Sequence, residues 1–76
     1  MDEELFSKEI QVERKRFLLS LRSNARGRFL RITEDVGGRR DTIIIPSTGL
    51  TDLCEAIAEA AEADGAVPQR EDAVES

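Results

Sequence analysis

The 76-residue chain is acidic overall, with 11 basic and 16 acidic residues, no histidine and one cysteine. A chain of that length forms one small domain burying only about 60% of its unfolded surface, and neither an internal disulfide nor a histidine-bearing zinc site is available to reinforce it. No apolar run reaches the ~18 residues of a membrane span, and Met1-Asp2-Glu3-Glu4 lacks the basic start of a signal peptide. The expectation is therefore a cytoplasmic protein with no membrane partner, no metal and no cofactor, stabilised by association between copies.

Residues 1–5 are acidic and are expected to be frayed. Lys8 to Glu13 then alternates as a strand, with Ile10 and Val12 on one side and Glu9, Gln11 and Glu13 on the other. After a turn at Arg14-Lys15, a second strand from Arg16 to Ser23 puts Phe17, Leu19 and Leu21 inward and Arg16, Leu18, Ser20 and Arg22 outward. Ala25-Arg26-Gly27 closes a hairpin in which Asn24 and Gly27 tolerate positive φ. A third strand, Arg28 to Glu34, has Leu30 and Ile32 inward and Phe29, Arg31 and Thr33 outward. Gly37-Gly38 marks the next turn, and the β-branched run Asp41 to Ile45 a fourth strand ended by Pro46. Ser47 is a candidate N-cap for a helix from about Thr48 to Asp64, whose apolar stripe would cover the inner face of the sheet and bury Cys54. Gly65 and Pro68 stop it, and residues 65–76 read as a disordered acidic tail.

Charge is distributed unevenly along this α+β chain. From Ser7 to Ile45, ten basic residues face five acids, so the block carries +5 while the acids collect at the start and from Thr51 onward. Binders of polyanions are usually basic, and a local field steers a ligand over about one Debye length, roughly 8 Å at physiological salt. Within the block, Arg22, Asn24, Phe29 and Arg31 share the outward face. Guanidinium groups suit phosphate and base edges, the amide both donates and accepts, and an outward ring offers a stacking surface. Stacking needs free base faces, which favours single strands over duplex.

The residues Lys15-Arg16-Phe17-Leu18-Leu19 and Arg22-Ser23-Asn24-Ala25-Arg26-Gly27-Arg28-Phe29-Leu30-Arg31-Ile32 resemble the PUR repeat of the Pur-alpha proteins, with a match over about Leu5 to Asp64. The resemblance implies a four-stranded antiparallel sheet followed by one helix, a ββββα repeat over residues 6–64, two copies of which intertwine as a Whirly-like homodimer. It also implies a purine-rich single-stranded DNA or RNA ligand. Positions that contact nucleic acid in the family fall here at Arg22, Asn24, Arg26, Phe29 and Arg31, with a polar pair at Glu13 and Arg14 and a basic residue at Arg39 or Arg40. Because a carboxylate at Glu13 would repel phosphate, Arg14 is the stronger candidate of that pair; Arg40 completes the set.

Two other classes compete with this one. An enzyme is disfavoured, since histidine and tyrosine are absent and the one thiol is expected to be buried. A protein–protein interaction module using the basic face or the acidic helix is the alternative, and it would be indifferent to oligonucleotides.

Overall fold

The computed structural model describes residues 2–65. Strands β1 (Glu3–Val12), β2 (Lys15–Asn24), β3 (Gly27–Val36) and β4 (Arg39–Pro46) form one antiparallel sheet in chain order, followed by a 3-10 turn at Ser47–Gly49 and a helix, α1 (Leu50–Asp64). The sheet-then-helix order expected from the sequence is present. All three hairpins close through two-residue turns, so the strands run further toward the turns than alternation alone suggests. Lys15 is accordingly the first residue of β2, and the turn falls on Glu13 and Arg14, with Glu13 at φ 57°. In the second hairpin only Gly27 takes positive φ. Asn24 contributes through its side chain instead, its Oδ1 accepting the Arg26 N–H at 2.9 Å. Gly37 and Gly38 both have positive φ, the conformation a tight two-residue hairpin demands.

The N-terminus is not frayed from Glu3 onward. Glu3 and Glu4 pair with Ser23 and Arg22, and the register then shifts between Glu4 and Phe6, leaving Leu5 as the extra residue of a β-bulge. Two acids of that start, Asp2 and Glu4, are held by side-chain partners on β2.

Cross-strand register sorts the side chains as the alternation required. Ile10 with Phe17, Leu19 with Ile32 and Ile43, and Leu21 with Leu30 and Ile45 make one apolar face. Leu18, Ser20, Arg22, Phe29, Arg31 and Ile44 belong to the other.

The helix departs from expectation. It abuts the 3-10 turn rather than lying over the strands, and among the described residues no hydrophobic side chain is buried. Cys54, expected in a core, is exposed, and Ile57 is 60% exposed. The connection explains this: Pro46 holds the chain extended (φ −57°, ψ 145°), and the three residues after it form one rigid turn, with no loop in which the chain could reverse. Gly49 rather than Ser47 is the N-cap, without a side-chain capping bond, and the helix starts at Leu50. Its other end is as expected, with Gly65 at φ 82° donating to Ala61 and Glu62 carbonyls. The radius of gyration is 14.6 Å, against about 11 Å for a compact domain of this length. Among the described residues, no helix is long and apolar enough to cross a membrane. The acidic tail expected beyond Gly65 lies outside the described residues.

Candidate nucleic-acid interface

The β2–β3 hairpin builds the centre of the site. Arg22 stands opposite Phe29, Ser20 opposite Arg31 and Asn24 opposite Gly27, so Arg22, Asn24, Phe29 and Arg31 share one sheet face. From β4, Pro46 stands opposite Phe29 and Ile44 opposite Arg31, giving the half-buried ring an apolar floor. An open groove of about 490 Å³ runs here, lined by Asn24, Arg26, Phe29, Ile44 and Pro46 among others. A base entering it would meet a ring face, and its phosphates would meet guanidinium groups.

Not every expected residue joins this group. Arg40 occupies the same face but pairs with Asp35, six residues along β3 from Phe29, or about 20 Å at strand rise. Arg14 lies in the β1–β2 turn, at the same end of the sheet as Gly37 and Gly38 and opposite to Arg26. Two basic regions result, one at each end.

Each region contains carboxylates. Near Phe29, Arg22 stands 3.5 Å from Asp2 and 3.7 Å from Glu4. Ser20, itself buried, donates to Glu4 at 2.7 Å and accepts from Arg22 at 3.2 Å. Asn24 Nδ2 donates to Asp2 at 3.2 Å. Arg22 Nε is enclosed yet lacks a hydrogen-bond partner of good geometry. At the far end, Asp35 is buried and accepts from the Gly38 N–H at 3.0 Å and Arg40 Nε at 2.9 Å, with Arg16 3.6 Å away. The Gly38 N–H, then Arg40 and Arg16, hold its carboxyl below its ordinary value. Among the described residues, no carboxylate comes within 4.0 Å of Arg14, Arg26 or Arg31.

Sequence reasoning missed Asp2, Glu4, Ser20 and Asp35. The alternating acids Asp2 and Glu4 match Arg22 and Asn24 in spacing, but the Leu5 bulge shifts the parity that would have revealed the pairing. Ile44 and Pro46 were read only as strand and strand end, although the outward alternation of β4 carries both to Phe29.

Residues 2–75 match the family model described as PurA ssDNA and RNA-binding protein. Transcription factor Pur-alpha 1 of Arabidopsis thaliana is 50% identical over 50 residues, a stretch covering 66% of this chain but 17% of that protein. Four strands and a helix in the repeat's order, a basic hairpin bearing an outward ring, and a family match over nearly the whole sequence agree: the chain belongs to the PurA family.

Proposed function

We propose that this protein is a homodimer that binds single-stranded DNA or RNA, sequence-tolerant or purine-rich, through the face carrying Arg22, Asn24, Phe29 and Arg31. The observation that carries this reading is the register pairing of Arg22 with Phe29 beside Arg31, on a sheet face that α1 leaves open. Arg26 extends the surface at the hairpin tip, and Arg14 and Arg40 offer phosphate contacts at the far end of a longer strand. The family's description as ssDNA- and RNA-binding supports the same ligand class.

The opposite face supports the dimer. Its apolar side chains, including Phe6, Ile10, Val12 and Ile43, are exposed in a single copy, as is Ile57 of α1. Contiguous exposed apolar surface of this kind marks association, and two copies exchanging helices in a Whirly-like arrangement would cover both surfaces. Charge is mixed on that face of the sheet: Lys8, Lys15 and Arg39 lie on it together with Glu34 and Asp41, and Lys15 pairs with Glu34 at 3.0 Å. Lys8 and Arg39 are the cations there that could meet Asp52, Glu55, Glu59 or Glu62 of a partner's helix. The exposed free thiol of Cys54 suits a reducing, cytoplasmic setting.

Titration with labelled purine-rich and pyrimidine-rich single strands, and with a duplex, over a salt series tests the binding. Affinity for single strands should exceed that for duplex and fall with salt. Replacing Arg31 with alanine should lower the slope by about 0.7 log units per log unit of salt, the share of one phosphate contact. Indifference to every oligonucleotide would leave the protein–protein interaction module as the better account.

A further inference from the structure

Two of the residues at the centre of the proposed binding face, Arg22 and Asn24, are already engaged. Asp2 and Glu4 stand on Arg22, Asp2 also accepts from Asn24, and Glu4 is fixed by Ser20. The Leu5 bulge produces this arrangement. In unbroken register, Phe6 opposite Leu21 would put Leu5 opposite Arg22 and turn Glu4 to the apolar face; the extra residue turns Glu4 to Arg22 instead. Bulges commonly re-aim side chains beside functional sites. The carboxylates fit the arginine imperfectly, at 3.5 and 3.7 Å, and Arg22 Nε is left without a hydrogen bond. A phosphate oxygen free to approach to about 2.8 Å would satisfy that proton better.

We propose that Asp2 and Glu4 are an internal anionic stand-in that occupies Arg22 and Asn24 until a nucleic-acid phosphate displaces it. The inference rests on the nucleic-acid reading above and adds the regulation of that site. The two carboxylates discriminate against uncharged ligands, because an occupant without negative charge would leave Arg22 unpaired. They also make binding an exchange of anions: Arg22 releases carboxylates as it gains phosphate, and the freed carboxylates regain cations from solution. Net counterion release is then smaller than the number of phosphate contacts implies.

The test compares the full chain with its Asp2→Asn/Glu4→Gln variant, using a labelled single-stranded GA-repeat DNA over a salt series. Glutamine keeps an oxygen for the Ser20 hydroxyl, and a melt of each protein checks the fold. The variant should bind about three- to tenfold tighter at low salt, the worth of two partly exposed ion pairs, and its salt slope should be steeper by up to about 0.7. Should the double variant fail to fold, Asp2→Asn alone decides, since Asp2 precedes β1; part of the gain supports the proposal and no gain overturns it. Equal affinity and slope in the two proteins would overturn the stand-in while leaving the binding function intact, and weaker binding by the variant would show that the carboxylates assist the ligand. Failure of both proteins to bind any strand would reject the nucleic-acid reading itself.

Discussion

Ile43 and Ile44 are neighbours on β4, of the same type and nearly equally exposed, at 57% and 53%, yet they belong to different surfaces. Ile43 lies with Leu19 and Ile32 in an apolar band that all four strands contribute to, with charges such as Lys15, Glu34 and Asp41 toward one end of it, whereas Ile44 lies directly beside Arg31 and Phe29. Exposure alone does not separate them. Their surroundings do: a broad apolar patch gains most from another apolar surface, while an aromatic ring among guanidinium groups gains most from a stacked, phosphate-bearing ligand.

The largest effect should come from breaking that contrast directly. Ile43→Glu would put a carboxylate into the proposed dimer interface, where an unpaired charge costs several kcal/mol; light scattering should report loss of the dimer and melting a collapse of stability. Ile44→Glu should leave mass and melting almost unchanged and weaken single-strand binding. Two equally harmless substitutions would mean that the apolar face is not covered.

Next in size, Phe29→Ala should weaken single-strand binding roughly tenfold to a hundredfold, since stacking is worth about 1 to 3 kcal/mol per base. Its melting temperature should fall less than for a core ring, whose truncation costs about 3 to 5 kcal/mol. A melt as damaged as a core truncation would move the ring's role from ligand to fold.

A smaller effect separates the two ends of the proposed binding face. The folded-state carboxyl of Asp35 is held below its ordinary value of 3.8 by the Gly38 N–H, Arg40 and Arg16. A depressed folded value means that the stabilisation is complete above the ordinary value and is lost as pH falls through the lowered one. Melts of the parent and of Asp35→Asn should therefore differ at neutral pH and converge in acid. A constant gap at every pH would show that the ionised carboxylate contributes nothing.

The smallest change concerns the β1–β2 turn. Glu13 holds φ 57°, a conformation asparagine tolerates better, so Glu13→Asn should raise stability by up to about 1 kcal/mol. It also removes a carboxylate beside Arg14 and should slightly improve binding at low salt. A lower melting temperature would argue that the Glu13 side chain supports the turn.

The faces were legible because strand alternation is a local property. Phe17-Leu18-Leu19 and Phe29-Leu30-Arg31 each assign inward and outward positions without reference to the rest of the chain, and the register agrees with them. The Gly37-Gly38 turn and the Gly65 helix stop were local signals too. The start of β1 was hidden because one extra residue breaks the two-residue period that reveals a strand. Helix placement was hidden for a different reason: the stripe of Leu50, Leu53 and Ile57 shows that a surface needs cover but not which surface supplies it. The separation of Arg40 and Arg14 from the Phe29 patch depends on strand length and hairpin order, which single positions do not encode.

β4 is an edge of the sheet, and Thr42 to Ile45 is a β-branched run of the kind that recruits further strands into fibres. Its two ends are guarded. Arg39, Arg40 and Asp41 precede the run with charges that resist stacking of identical copies, and Pro46 follows it with no N–H to offer an incoming strand. The other edge, β1, carries its own deterrent, since the Leu5 bulge interrupts the straight ladder that an added strand would need. The edges are thus poor templates for sideways growth, so the proposed pairing of two copies would be directed to the sheet face, where assembly can close, and away from the edges, where it could not.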